Sequence, residues 1–253
     1  MRGKEVAATL VVGLAVIAAW EFVPPALGVR RFIFPNFSVT MAEFQRMVAQ
    51  EGLWGHVIST ATMTAIGFVA GSLLGAIGGY LLGMSAFAER VLSPYILGLQ
   101  IAPKVAFAPL FIMWFGFTDW PKLLVTVLIV FFPILVNVLQ AMKTIDRDQV
   151  NLARAYSMSR ARIFWSVEVP STMPALLAGL RIGATLAVIG VTVGELVGGN
   201  TGLGFLITFG QGQANAAMVF NAILLLTAIG IVLYGIVAFF EGRILHYIPK
   251  VQR

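Results

Sequence analysis

Residues 57–84 read VISTATMTAIGFVAGSLLGAIGGYLLGM, an unbroken run with no charged side chain. About 20 mostly apolar residues are enough to cross the hydrocarbon core of a bilayer, and this run exceeds that length. Within it Gly67, Gly71, Gly75, Gly79 and Gly83 recur every fourth residue. Small residues at that spacing let helix backbones approach closely. The stripe drifts by ~40° per step on a helix of 3.6 residues per turn, so one straight partner is not expected to meet all five. A tight packing seam is the plain reading, and a surface that slides is the alternative.

The rest of the chain is of the same character. Of 253 residues, 59% are hydrophobic and 11% charged, against about 25% charged in a soluble domain. The mean hydropathy is +0.91, so the bilayer must act as solvent. Further apolar runs fall at 6–23, 91–115, 123–142, 174–197 and 216–240. With 57–84 they predict an all-α membrane protein of six spans. Pro94, Pro103 and Pro109 interrupt the third, which is expected as two broken pieces. Arg2 and Lys4 precede the first run, and Ala26-Leu27-Gly28 offers a cleavage-like site. Glu21, Pro24 and Pro25 fit a cleaved signal poorly, so a retained helix is the reading and a removed leader the alternative.

The formal net charge is +6, from 17 Lys and Arg against 11 Asp and Glu. The basic residues sit beside apolar runs, which points to topology and anionic lipid rather than to nucleic acid. With the N-terminus inside, the inner side carries Arg2, Lys4, Arg90, Lys143, Arg147, Arg154, Arg160, Arg162, Arg243, Lys250 and Arg253. The outer side carries only Arg30, Arg31, Arg46 and Lys122. That bias places both termini in the cytoplasm. The chain has no cysteine, which excludes disulfides, thiolate metal sites and Cys nucleophiles.

Two outer loops carry structure. Thr40-Met41-Ala42-Glu43 is a capping-box pattern, with Phe44, Met47 and Val48 on one face of the helix it starts, expected over 40–50. After the fifth span, residues 198–204 read GGNTGLG, a glycine-hinged turn, and 205–209 form a short apolar piece suited to dip into the outer interface.

The longest inner loop, 143–173, repeats apolar residues at helical spacing. Val150, Leu152, Ala153 and Tyr156 suit one short helix. Ile163, Phe164 and Val167 suit a second, with Ser159 as its N-cap. Ser157-Met158-Ser159 is the expected turn, and Pro170 closes the unit. Arg160 and Arg162 fall at the second helix's N-terminus, where the dipole disfavours them, so an acidic group on a partner protein or lipid is expected opposite. A helix lying on the inner leaflet is the alternative.

Asn151-Leu152-Ala153, Ser157 and Val169-Pro170 stand where binding-protein-dependent permeases carry their cytoplasmic Glu-Ala-Ala…Gly…Pro signature. Residues 103–116 (PKVAFAPLFIMWFG), 131–137 (FFPILVN), 179–184 (GLRIGA), 194–198 (GELVG) and 201–206 (TGLGFL) extend the likeness over about 40–241. The chain resembles the nitrate/sulfonate/taurine branch of these ABC importers and its pyrimidine and vitamin-precursor relatives. The resemblance implies the type I ABC importer transmembrane fold. It implies a first segment 1–55, a permease domain 56–241 with its coupling loop at 143–173, and a cytoplasmic tail 242–253. It also implies a second permease chain, two ATPases that hold ATP and Mg, a soluble binding protein, and a bacterial inner-membrane location. Asn151, Ala153, Ser157, Ser159, Arg160, Arg162, Phe164 and Pro170 are the implied ATPase-coupling residues. Asn151 replaces the family's Glu, Leu152 its first Ala and Ser157 its Gly. If the turn needs positive φ, Ser costs about 1 kcal/mol against Gly.

No G-x-x-x-x-G-K-[ST] loop occurs, so no catalytic residue, cofactor or metal site is expected in this chain. His56 and His246 lie far apart and read as interfacial residues. Buried charge in a span is costly unless paired or hydrated, which makes Lys104, Arg181 and Glu195 candidates for a translocation pathway, with Gln100 and Asn137 beside them. Arg181 and Glu195 share a helix face but lie ~21 Å apart along it, too far to pair. Two of these three charges are basic, which favours a small anion or polar metabolite as substrate. A stand-alone secondary transporter and a structural subunit of a membrane complex are the rival readings; neither uses the two-helix inner loop.

Overall fold

The computed structural model describes residues 2–247. Lys250, Arg253 and the end of the expected tail 242–253 lie outside them. The described residues form helices and no strand. In chain order these are α1 (Arg2–Ala26), α2 (Phe37–Gln50), α3 (Leu53–Gly83), α4 (Ala86–Ile101), α5 (Ala108–Phe115), α6 (Trp120–Lys143), α7 (Arg147–Ala155), α8 (Arg160–Ile163), α9 (Val169–Gly198), α10 (Leu203–Gly212) and α11 (Ala216–Ile244).

Five helices are long and apolar enough to cross a membrane, and six spans result if α4 and the piece Lys104–Phe115 are counted as one. That pair is bent by 81°. Ala102, before Pro103, is driven to ψ 136°, because proline disfavours the helical region for the residue preceding it. The chain resumes as a 3₁₀ turn at Lys104–Phe107 and then α5.

The fold divides into two compact units, residues 1–60 with 200–227 and residues 61–199 with 228–253. In the first, α2 starts at Phe37 rather than Thr40, and the capping box is not used. Glu21 of α1 accepts hydrogen bonds from the Ser38 N–H (2.8 Å) and hydroxyl (2.8 Å), doing for α2 what its own cap residue Asn36 does not. Thr40 instead donates to Asn36 O at 3.0 Å. Glu43 is taken by Arg46 and by Asn215 Nδ2 at 2.8 Å, and Glu43 chiefly, by hydrogen bonding, raises the Arg46 pKa above its ordinary value.

The core of the second unit is α6. A Cβ placed on Gly67, Gly71, Gly75, Gly79 or Gly83 would meet Thr126, Val130, Phe131 and Ile134, Val138 or Met142 at 3.0 Å or less, apart from Ile134 at 3.1 Å. All five glycines of the ladder therefore meet one helix, contrary to expectation. The physical reason is that α6 presents a ladder of the same period, at residues 126, 130, 134, 138 and 142. Both stripes drift alike, so the helices stay in contact by winding together. From the other side α9 brings Gly179, Gly183, Gly190 and Gly194 onto α6. Thr126 is thus wedged between Gly67 and Gly190, Val130 between Gly71 and Gly183, and Ile134 between Gly75 and Gly179.

The fifth span also departs from expectation. α9 begins at Val169, five residues before the run that marks it, and is continuous through a π turn (Phe164–Glu168) with α8, giving one helical stretch over Arg160–Gly198. Pro170 lies in the first turn of α9 and does not close the inner loop.

Candidate functional site

The loop 143–173 folds as two helices joined by a tight turn. Asp146 caps α7, accepting from Asp148 N at 2.9 Å. At its other end Ser157 N bonds Arg154 O (2.8 Å) and Met158 N bonds Ala153 O (3.1 Å). These two bonds are the Schellman pattern, which requires a left-handed residue after the cap and most often uses Gly. Ser157 has φ +56°, so the turn takes the left-handed conformation with a side chain in place, at about 1 kcal/mol. Met158 and Ala153 both line one groove, and they occupy the two positions at which this motif commonly pairs apolar side chains.

Ser159 caps α8 as expected, its Oγ accepting from Arg162 N at 3.3 Å. The Arg160 guanidinium donates to Met84 O at 3.3 Å, just past the C-terminus of α3, where the dipole favours a cation. Arg162 is exposed and has no acidic partner among the described residues. Ala153 is buried and Asn151 exposed. Leu152, Tyr156 and Trp165 are 61%, 77% and 68% exposed, an apolar and aromatic edge on an otherwise polar segment. Phe164 and Pro170 are half-buried.

The pathway candidates are dispersed. Gln100 and Lys104 flank the break between α4 and α5; Lys104 Nζ donates to Gln100 O and stands 5.1 Å from the centre of the Phe132 ring. Asn137 turns back on its own helix, Nδ2 bonding Pro133 O at 2.8 Å, and lies against Gly179 of α9. Arg181 pairs with Glu241 of α11 and stacks over Tyr234 at 5.6 Å. Glu241 carried no sign of this role in the sequence, since it closes an apolar run and reads as an end-of-span charge. Glu195 is fully buried near the end of α9, its carbonyl accepting from Gly199 N at 2.9 Å. Lys122, an expected outer-loop residue, is 2% exposed and bonded to Asp119 at 2.9 Å. His56 anchors the turn between α9 and α10, its Nδ1 accepting from Gly202 N at 3.0 Å while its ring stacks on Phe205.

Helices long and apolar enough to cross a membrane, one of them continuous with an exposed, capped helix–turn–helix, are the architecture of a membrane permease subunit. Residues 67–246 match the family of binding-protein-dependent transport system inner membrane components, and the chain belongs to that family. It is 31% identical to the formylaminopyrimidine transport permease protein ThiX of Halalkalibacterium halodurans, over 94% of both chains. It is 32% identical to the riboflavin transport system permease protein RibX of Chloroflexus aurantiacus, over 92% of this chain and 87% of that one. The putative aliphatic sulfonates permease SsuC of Bacillus subtilis is 28% identical over 94% and 86%. Among solved structures, the MetNI methionine ABC transporter in inward-facing conformations superposes with a TM-score of 0.63 at 20% identity. The superposition covers 79% of this chain and 99% of that one, and it establishes the type I importer transmembrane fold.

Proposed function

We propose that the chain forms the translocation path of an ATP-driven importer as one of two identical permease chains. Two partner ATPases bind ATP and Mg at its inner face, a soluble binding protein delivers substrate outside, and both termini lie in the cytoplasm. The observation that carries this is the segment 147–165. Its exposed Leu152, Tyr156 and Trp165 offer an apolar grip, the Ser157 turn fixes its shape, and its second half is continuous with the span Arg160–Gly198. A partner that moves this edge moves a membrane helix.

The experiment is Ser157→Pro in the assembled transporter. Proline removes the N–H that bonds Arg154 O and forbids φ +56°. The chain is expected to remain in the membrane while the ATPase no longer co-purifies and uptake is lost. Unchanged ATPase retention and uptake would remove the docking reading.

The substrate is a small anion or small polar metabolite. The relatives' names cover both kinds, from aliphatic sulfonates to riboflavin. Glu241 neutralises Arg181, which leaves Lys104 as the cation that supports an anion, since it has no carboxylate partner among the described residues.

A further inference from the structure

One turn of π-helix, Phe164–Glu168, which carries Trp165 of the docking segment, joins that segment to α9, with the Val169 N–H bonded to Phe164 O. A π turn holds one residue more than an α turn, and one residue is worth ~100° of rotation and ~1.5 Å of rise. The turn therefore sets the direction in which residues 157–163 face relative to α9. Pro170 follows at once. It donates no hydrogen bond, and in an uninterrupted α-helix its ring would crowd the carbonyl of Ser166, four residues back. Opening the helix relieves that clash but leaves the joint one hydrogen bond short, a soft point in a long rod.

Tyr80 of α3 grips this joint from both sides. Its ring meets Phe164 edge to face, centroids 5.4 Å apart, and its hydroxyl lies 2.9 Å from Thr172 Oγ1. Thr172 is fully buried. Its hydroxyl donates to Glu168 O at 2.9 Å, with Val169 O at 3.1 Å, so its oxygen is left to accept from Tyr80. The relay ends on the last residue of the π turn. Tyr80 itself stands on stiff ground, because its neighbours Gly79 and Gly83 are seated on Val138 and Met142 of α6.

We infer that Tyr80 is a positioning residue for energy coupling: it holds the π turn in one geometry and so passes movement of the docking segment to the α3–α6–α9 body. The inference rests on the docking reading above. Tyr80→Phe, which keeps the ring and loses the hydroxyl, tests it in the assembled transporter. Spin labels at Ala161→Cys and Gln140→Cys, both exposed sites in a chain without cysteine, read the joint directly when diluted with unlabelled chain. A narrow distance distribution is expected in the parent and in Thr172→Ser, and a broadened or displaced one in Tyr80→Phe and Thr172→Val. Uptake per ATP hydrolysed should fall about fivefold in the latter two, the shift set by one buried hydrogen bond, with ATPase retention unchanged. An unaltered distribution overturns the clamp. An altered distribution with unaltered uptake per ATP overturns its part in coupling. Failure of the docking reading shows separately, as ATPase retained and uptake intact in Ser157→Pro, and takes the coupling half of the inference with it.

Discussion

Arg181 of α9 is ion-paired with Glu241 of α11, so a cation that reads as a pathway residue is also a tie between two helices. The two side chains are 38% and 21% exposed, which keeps the net strength modest, because partly solvated pairs gain less than dry ones. Removing either partner leaves the other charge without its counter-ion. Arg181→Gln and Glu241→Gln should each lower the thermal midpoint of the detergent-purified complex, and the double variant should recover part of the loss. A double-mutant cycle is expected to give a coupling of about 1–2 kcal/mol. Zero coupling would return Arg181 to the pathway.

Lys104 should behave in the opposite way. Its contacts are a backbone carbonyl and a ring face, neither of which needs an ammonium to remain folded. Lys104→Gln should leave the midpoint and complex yield unchanged and reduce uptake of an anionic substrate about tenfold, the loss of one charge-assisted contact. Normal import by this variant would remove the anion from the proposed substrate class.

The glycine seams predict a graded series. A Cβ at Gly75 would lie 2.6 Å from the Phe131 carbonyl oxygen, and backbone cannot step aside. Gly75→Ala should cost about 1–3 kcal/mol, read as lost thermal stability, with no rescue from trimming side chains. At Gly67 the nearest obstacles are Cγ2 and Cβ of Thr126 at 2.5 and 2.8 Å, so Thr126→Ala, which keeps Cβ, should rescue Gly67→Ala only in part and Thr126→Gly should rescue it further. Gly230→Ala, with Val188 at 3.6 Å, should be neutral.

The strained turn offers a gain. Ser157→Gly removes a side chain from φ +56° and should stabilise the inner segment by about 1 kcal/mol, measured as slower amide exchange at Ser157 and Met158. Ser157→Val, β-branched at the same φ, should accelerate it. Equal exchange in all three would mean that the turn carries no strain.

Orientation can be read by labelling. Single cysteines at Gln50 and Gln211, both exposed, should react with an impermeant reagent on intact spheroplasts, and one at Ser159 should not. Reaction at Ser159 would invert the proposed topology.

The apolar runs made most of the architecture legible, because a span must carry its hydrophobicity in consecutive residues. The Pro103 break and the Ser159 cap were legible for the same reason: each acts within a few residues of itself. What escaped was set at a distance. The stripe on α6 that matches the glycine ladder is built of Thr, Val, Ile and Met, and it attracts no notice until α3 is laid against it. Glu241 sits sixty residues beyond Arg181. Thr40 and Glu43 fit a local capping rule but were claimed by Asn36, Arg46 and Asn215. The site followed the same division, with the turn at Ser157 foreseen and the carbonyl partner of Arg160 not.

The wedging of Thr126, Val130 and Ile134 between glycines of α3 and α9 also bears on how the molecule is made. α3 leaves the ribosome well before α6, and α9 comes later still, since chains emerge from their N-terminus. On entering the bilayer α3 exposes a groove of bare backbone that lipid tails fill poorly. α6 closes that groove, and only then does its opposite side become the template for α9. A Cβ on any of the five α3 glycines would already meet α6 at 3.0 Å or less, so this seam leaves little slack for an α6 that arrives out of register. Synthesis order and glycine placement together favour an assembly sequence in which α3 and α6 join first and α9 docks last.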